Sequence, residues 1–158
     1  NLFNILRAYY NEWKFKHPLP NDFRRIAERI SGIQLQWYLT DWTQTTNKID
    51  YAISDVEDKG DGSKINLRRN QLMPMPLELL VVLKNGESEL HYIPISLMRG
   101  EKANPYPIKW VVHPDWAWAH LEYSFLIDHP KEEIQTIIID PSGLMADVDK
   151  SNNYYASE

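Results

Sequence analysis

The sequence contains no cysteine. This absence excludes a disulfide framework, a thiolate zinc site and a cysteine nucleophile. Secreted proteins without disulfides are common, so it leaves the cellular compartment open. With 158 residues, of which 43% are hydrophobic and 12% aromatic, the chain can bury a core without a metal or a crosslink.

Clustered positive charge is also missing. The chain has 17 Lys and Arg against 22 Asp and Glu, a formal net charge of -5, and its basic runs are no longer than the pairs Arg24-Arg25 and Arg68-Arg69. Phosphate binding depends on clustered cations, so we expect no nucleic-acid partner. No apolar window approaches about 18 residues, and no basic-then-apolar signal opens the chain, so we expect neither a membrane span nor an export signal in this segment.

Sequence signatures of catalysis are absent as well. The chain has no Gly-x-Ser-x-Gly elbow, no phosphate loop and no Gly-x-Gly-x-x-Gly. Ser142 lies in an Asp-Pro-Ser-Gly segment without a neighbouring base, which indicates turn chemistry rather than a nucleophile. We therefore predict no catalytic, cofactor-binding or metal-binding residue in this chain.

The five histidines form no local metal motif, because none has a second histidine three to five residues away. Three of them precede a proline, where the backbone is held extended. We predict that these three are turn or surface residues. The full set is His17, His91, His113, His120 and His129, of which the first, third and fifth precede proline.

A helical pattern opens the chain. Leu2, Leu6, Tyr9 and Trp13 are spaced by four, three and four residues, which places them on one face of a first helix that Pro18 must end. Because this register is already present at the first residues, and residue 1 is not Met, we expect the chain to be a piece of a longer protein.

Two further helices are predicted before residue 43. Asn21 suits the N-cap of the second, Asp22 suits its positive end, and Ser31-Gly32 supplies the stop. A short third helix covers about 35–42. The predicted buried stripes are Phe23, Ile26, Ala27 and Ile30 in the second helix and Leu35, Leu39 and Trp42 in the third.

After Thr43 the hydrophobic period shortens towards two, which indicates strands. The sequence predicts one hairpin around the turn at 59–62 and a second around Asn85-Gly86, where a tight turn would need positive φ at both central residues. Three more strands are predicted at 108–112, 121–127 and 134–139. The expected fold is α+β by content, with a short N-terminal helical segment followed by an antiparallel β-sandwich of the immunoglobulin or fibronectin kind.

Two features suggest binding sites. Asp147, Asp149, Ser151 and Glu158 fall on positions 1, 3, 5 and 12 of a calcium loop, but Asn152 replaces the usual glycine and no helix follows, which favours a polar terminal strand with a frayed end. Trp116 and Trp118 would share one face of an extended segment and could stack on a sugar, although aromatic residues of a sandwich more often lie in its core.

Several blocks resemble a known enzyme family. WKFKHPLPNDFRRIAERISGIQLQWYLTDW, at 13–42, resembles the helices that close the catalytic domain of aminopeptidase N-type zinc metallopeptidases (gluzincins), with Leu19 where those enzymes often have Thr. MPMPLELLVVLKNGE, YIPISLMRGEK and IIIDPSGLMADVDKSNN resemble the β-sandwich that follows that domain in many members, including a bacterial subset. None of these blocks is itself a catalytic signature.

The resemblance implies a peptide hydrolase whose chemistry lies elsewhere. The family binds one zinc through His-Glu-x-x-His and a distant Glu, and neither that motif nor the Gly-Ala-Met-Glu-Asn-like substrate segment occurs in this sequence. It therefore implies that this chain is inert alone, since no ion is present to lower the pKa of water, and that zinc belongs to the intact parent. A periplasmic or secreted parent is favoured over a cytoplasmic one.

The implied organisation has three parts: the terminal helices of a truncated catalytic domain at 1–43, a sandwich at 44–150 and a tail at 151–158. The sandwich would act as a non-catalytic brace, and its partner would be the rest of the parent's catalytic domain. Two alternatives are a stand-alone binding module for a sugar or a protein, and a self-contained interaction protein. We expect some helix side chains to lose cover and to pack on the strands or on a second copy of the chain: Leu6, Tyr9, Trp13, Phe23, Ile26, Trp37 and Trp42.

Overall fold

The computed structural model describes residues 2–104 and 106–157, with helices first and strands after them. The helices in those ranges are α1 (Leu2–Trp13), α2 (Pro20–Ser31) and α3 (Gln36–Gln44). The α+β content predicted from the sequence is confirmed. The strands are β1 (Tyr51–Asp58), β2 (Ser63–Arg69), β3 (Leu77–Leu83), β4 (Ser88–Ile93), β5 (Lys109–Val112), β6 (Glu122–Ile127), β7 (Ile134–Ile139) and β8 (Tyr154–Ala156).

The chain divides into two compact units. The helical unit comprises the residues up to Thr46 together with Leu97–Lys102, and the strand unit comprises Asn47–Ser96 and the residues from Ala103 onward. The second piece of the helical unit is joined to the first by the backbone N–H of Gln34, which donates to the Met98 carbonyl at 2.7 Å. None of the helices in the described ranges is both long enough and apolar enough to cross a membrane.

The N-cap of the second helix lies two residues before the predicted one. Leu19, not Asn21, is the N-cap, and its backbone N–H donates to the Asp22 carboxylate at 2.8 Å. Pro20 fits the first helical position because its fixed φ suits the helix and its missing N–H would have had no partner there. The predicted end is confirmed: Gly32 has φ 75° and donates its N–H to the Glu28 carbonyl at 2.9 Å.

The face that α1 buries is rotated from the predicted one. Ile5 is its buried residue, and Tyr9 meets the Phe23 ring of α2 edge-to-face at 5.3 Å. Leu2 and Leu6, predicted to lie on the buried face, are 61% and 44% exposed. Of the side chains expected to lose cover, Leu6 and Trp42 are exposed. Ile26 is buried, so the prediction is wrong for it. The other four are half-buried: Tyr9, Trp13, Phe23 and Trp37.

The strands form two sheets. In the three-stranded sheet, of order β1-β2-β6, all neighbours are antiparallel. In the five-stranded sheet, of order β5-β4-β3-β7-β8, the β4–β5 pair is parallel. The fully antiparallel arrangement predicted from the sequence is therefore wrong at β5. The connection between Ile93 and Lys109 is too long for a hairpin turn and has the length that a crossover between parallel strands needs.

The inner face of the five-stranded sheet follows from the alternation in β3. Leu77, Leu79, Val81 and Leu83 are buried, and the residues between them are half-buried. Val81 pairs with Glu89 of β4, and Leu79 pairs with His91. Directly paired residues share a face, so a carboxylate and an imidazole lie among the aliphatic residues of the core.

The β3–β4 hairpin has a different turn from the predicted one. Gly86 has φ 91°, whereas Asn85 is not in the left-handed region. The Gly86 N–H donates to the Leu83 carbonyl at 3.0 Å, and the Leu83 N–H donates to the Glu87 carbonyl at 2.9 Å. Lys84 and Asn85 are thus the central turn residues, followed by Gly86 in the left-handed bulge position of a three-residue loop.

Candidate functional site

Polar side chains gather on the inner face of the strand unit, where its sheets end. The set, named here the Glu89 cluster, lies at the edge formed by β5 of one sheet and β6 of the other. Glu89 is 4% exposed and His91 is 2% exposed, so both are core residues. The members of the cluster are Glu89, His91, Lys109, His113 and His129.

Glu89 is the centre of this cluster. Its Oε2 is ion-paired with Nζ of Lys109, and its Oε1 lies 3.0 Å from Nε2 of His129. The same Oε1 is 3.3 Å from Nε2 of His91, close enough for an ion pair but without the alignment of a hydrogen bond. His129 also approaches Glu133, with 3.8 Å between Nδ1 and Oε2. One buried carboxylate thus faces three nitrogen-bearing side chains.

Glu89 is held in its charged form. Burial pushes the pKa of this carboxyl upward, but the hydrogen bond from Lys109, together with the charges of His91, Lys109 and His129, outweighs it and lowers the pKa below the ordinary value. Lys109 shows the reciprocal effect, since the Glu89 carboxylate raises the pKa of its ammonium group. A buried charge is tolerated only with such partners.

His91 and His113 form a hydrogen-bonded pair with nearly parallel rings. Nδ1 of His91 is 2.8 Å from Nε2 of His113, and the ring centroids are 5.1 Å apart with 18° between the planes. Phe125 of β6 covers both rings, with its centroid 5.4 Å from His91 and 4.1 Å from His113. Burial lowers the pKa of His91 to about 4, the Glu89 carboxylate opposing it only partly, and burial also lowers the pKa of His113.

Strand register places the first three members. Glu89 and His91 are two residues apart in β4, so they point to the same side. Lys109 is the residue of β5 that pairs with Glu89. His113 continues this pairing beyond β5, because its backbone N–H donates to the Tyr92 carbonyl at 2.9 Å.

His129 reaches the cluster from the turn after β6. Its carbonyl oxygen accepts a hydrogen bond of 2.8 Å from the hydroxyl of Ser63, which is fully buried at the start of β2. This bond fixes the backbone at His129 so that the imidazole turns back towards Glu89. The cluster therefore combines residues from β4, from β5 and the segment that follows it, and from the turn after β6.

The predicted positions of the histidines hold for some and fail for others. His17 is exposed, as predicted, and His120 is exposed too. His129 lies in the turn after β6, which agrees with the prediction of a turn or surface residue, although its side chain is half-buried in the cluster. The prediction is wrong for His113, which is half-buried and continues the pairing of β5. The proline that follows each of them restricts the backbone but does not determine where the side chain points.

Ser142 lies in a turn, as predicted. Its Oγ donates to the Asp140 carboxylate at 2.7 Å, and the Gly143 N–H donates to the Asp140 carbonyl at 2.9 Å. The other Asp140 carboxylate oxygen accepts the Met145 N–H at 2.7 Å. The hydroxyl therefore completes a hydrogen-bonded turn.

The oxygens of the calcium-loop pattern bind nearby backbone. Oδ1 of Asp147 accepts the Asp149 N–H at 2.9 Å, and its Oδ2 accepts the Tyr51 N–H at 3.0 Å. Asp149 accepts the Ser151 N–H at 3.1 Å. Glu158 lies outside the described residues. Residues 154–156 form β8, paired with β7, which agrees with the terminal strand favoured from the sequence.

The two tryptophans do not form a stacking platform. Trp116 is 3% exposed, stacks on Tyr123 at 5.2 Å and donates its Nε1–H to the His120 carbonyl at 2.9 Å. Trp118 is 55% exposed. Since one ring points inward and the other outward, the two do not form the surface that stacking on a sugar would need, and Trp116 lies in the core, the alternative favoured from the sequence.

Within residues 2–104 and 106–157, no group of three or more His, Asp or Glu side chains converges as a set of metal ligands.

No protein-family model, curated protein or solved structure matches this chain.

Proposed function

We propose that this chain is a non-catalytic scaffold region whose helices dock, through one face of α1, onto the catalytic domain of a zinc aminopeptidase parent. Peptide hydrolysis from the N-terminus and its zinc ion belong to that parent. The strand unit, which we propose to be an immunoglobulin- or fibronectin-like sandwich with one parallel edge strand, acts as the brace. The observation that carries the proposal is the uncovered apolar half of α1.

The apolar surface of α1 is wider than its contact with α2. At about 100° per residue, the side chains from Ile5 round to Phe3 span an arc of about 160°. Ile5 and Tyr9, at one border of this arc, face α2. Trp13, also within the arc, is half-buried, and the other members are exposed: Leu2 at 61%, Phe3 at 84%, Leu6 at 44% and Tyr10 at 63%.

The chemistry of this exposed half, named here the α1 face, indicates its partner. Its four members, Leu2, Phe3, Leu6 and Tyr10, carry no formal charge. Contiguous exposed apolar side chains mark an interaction site, and a surface without charges is complementary to another apolar surface. The sequence of 13–42, which resembles the closing helices of a gluzincin catalytic domain, supports a partner that is the remaining helical part of such a domain.

A binding measurement tests the proposal. The coding sequence upstream of residue 1 is determined, and the polypeptide that it encodes is expressed and titrated calorimetrically with the 158-residue chain. We expect a His-Glu-x-x-His motif in that polypeptide and binding that the paired substitutions Leu6→Glu and Tyr10→Glu weaken at least about 100-fold, since each buried apolar side chain contributes about 1.5–3 kcal/mol.

Asn11→Glu is the matched control, because Asn11 is exposed on the same helix and lies outside the α1 face, about 80° beyond Phe3. It should leave the affinity unchanged. The proposal fails if the upstream polypeptide lacks the zinc motif, if it does not bind, or if the paired variant binds like the control. A dimer of the chain that Leu6→Glu disrupts, without upstream binding, would assign the α1 face to a second copy instead.

A further inference from the structure

We propose that the Glu89 cluster is an acid-operated clasp that holds the β5 and β6 edges of the two sheets together at neutral pH and releases them when His91 and His113 take up protons. This inference is independent of the docking role of α1. It assigns to the strand unit a conformational response to pH, located at one edge.

The cluster joins the two sheets at the place where neither has a further strand. Glu89 and His91 belong to β4, Lys109 belongs to β5, and both strands are in the five-stranded sheet. Phe125 of β6, in the three-stranded sheet, packs on His91, and His129 follows the same strand. These contacts connect the five-stranded sheet, close to its edge strand β5, with β6, the edge strand of the three-stranded sheet.

The hydrogen-bonded pair of His91 and His113 can share one proton between its two facing nitrogens, but it cannot keep both rings fully protonated. Across the 2.8 Å contact between Nδ1 of His91 and Nε2 of His113, one nitrogen must donate and the other must accept. If both rings are protonated, two N–H groups face each other and two cations lie with their ring centroids 5.1 Å apart. The pair must then separate, and Phe125, which packs against both rings, loses its contact surface.

Nearby charges do not compensate for those added protons. At neutral pH the Glu89 carboxylate is matched by the Lys109 ammonium, so a proton on His91 adds an unbalanced buried charge. The other charged groups around the cluster are Glu87 before β4, Asp128 and His129 after β6, and Glu133 beyond them. Glu87 and Asp128 are exposed, and Glu133 is 57% exposed, so solvent screens all three.

The lowered pKa values of the two histidines agree with this geometry. The pKa of His91 is lowered to about 4 by burial, and the pKa of His113 is also lowered by burial. An unfolded or opened chain therefore binds these protons more readily than the closed one. Acidification below the ordinary histidine pKa of about 6.5 consequently favours opening.

Hydrogen exchange resolved by NMR locates the response. Protection factors, corrected for the intrinsic pH dependence of exchange, are measured for the full chain at about pH 7 and about pH 4.5, on either side of the ordinary histidine pKa. We expect the amides of β5 and β6 to lose at least about tenfold protection relative to those of the β2–β1 pair and of β3 and β7.

Three variants make the result specific. His91→Gln and His113→Gln remove one titrating ring each, and either should reduce the loss at β5 and β6 to less than about threefold. His120→Gln, at an exposed site, should behave like the unchanged chain. If His91→Gln does not fold, His113→Gln alone decides, because His113 is only half-buried.

Two results would overturn the inference. One is a uniform acid response, in which β5 and β6 lose no more protection than the central strands. The other is a local loss that persists unchanged in the folded histidine variants, which would place the titrating groups elsewhere.

Discussion

Nε2 of His129 lies 3.0 Å from Oε1 of Glu89, so the turn after β6 is in direct contact with the start of β4. This contact joins strands of two different sheets through a buried carboxylate. Glu89 also pairs with Lys109 of β5, and a single side chain thereby links three parts of the strand unit. Removing the Glu89 carboxylate should therefore lower the stability of the chain more than its position near a sheet edge suggests.

Replacing Glu89 by Gln should lower the free energy of unfolding by about 1–3 kcal/mol, measured by urea denaturation near neutral pH. Breaking a fully buried ion pair typically costs about 3–5 kcal/mol. Lys109 is 65% exposed and can turn to water, so the smaller figure applies. Glu132→Gln, at an exposed position, is the control. Equal stability of the two variants would show that Glu89 contributes no net stabilisation.

Stability should fall on acidification between about pH 6.5 and about pH 4. The folded pKa of His91 is about 4, below its unfolded value of 6.5, so the unfolded chain binds the proton first. Each pKa unit corresponds to about 1.4 kcal/mol, which gives a loss of about 3 kcal/mol across this window. Glu89 adds to the loss at the acid end, because its pKa is lowered from 4.5 and its contribution disappears as the carboxylate is protonated.

Urea denaturation at a series of pH values tests this prediction. His91→Gln should flatten the dependence between about pH 6.5 and about pH 4, since the largest titrating difference is removed. A curve that stays as steep in this variant as in the unchanged chain would contradict it.

Tyr51→Phe should destabilise the chain by about 1–3 kcal/mol. The Tyr51 hydroxyl donates to the Met75 carbonyl at 3.1 Å and accepts the Met75 N–H at 2.8 Å, and the residue is 1% exposed. Phe would leave both backbone groups without this partner. Tyr10→Phe, at an exposed residue, should change stability little. Comparable losses of stability in the two variants would argue against a stabilising contribution from the buried Tyr51 hydroxyl.

Tyr51 should also make the chain sensitive to alkali. Burial raises its pKa to about 12, despite opposing contributions from Met75 and Arg69. The unfolded phenol ionises near its ordinary pKa of about 10, so stability falls as the pH rises from about 10 to about 12. Spectroscopic titration of the tyrosines should show a late-ionising group that Tyr51→Phe removes. A titration that is the same in both proteins would refute this assignment.

Gly86→Ala should cost about 1–2 kcal/mol, because an L-residue is strained at the φ of 91° there, and no atom lies within 4 Å of the added Cβ. Asn85→Ala should cost less, about 0.5–1 kcal/mol, for the loss of two exposed hydrogen bonds, one accepted from the Glu87 N–H and one donated to the Glu87 carboxylate. Thermal denaturation of both variants is the measurement. Equal costs would favour a tight turn with both residues left-handed over the three-residue loop.

Local patterns determined much of the fold. β7 was predicted from end to end at 134–139, because it is a short apolar run bounded by turn residues. The direction of β5 could not be predicted, since hydrophobic alternation is the same in a parallel and an antiparallel edge strand. The start of α2 was misplaced because Asn21 matches the N-cap preference, whereas Pro20 and the Asp22 carboxylate decide the boundary.

The Glu89 cluster was partly visible in the sequence. Glu89 and His91 alternate with Leu90 and Tyr92 in a predicted strand, and the same face carries Ile93, which is fully buried. A charged pair on the apolar face of a strand is a signal of a buried polar site. His113 and His129 could not be added from spacing, because they reach Glu89 only through the parallel pairing of β5 and the turn after β6.

The connection from β4 to β5 passes through Leu97–Lys102, which belong to the helical unit. The two units are therefore linked three times along the backbone, after Thr46, after Ser96 and after Lys102. Neither can be inherited, excised or grafted as one uninterrupted stretch of gene. A strand unit transplanted by cutting at residue 46 would carry a loop whose anchor at Gln34 had been left behind, and recombination between relatives is expected to conserve both pieces together.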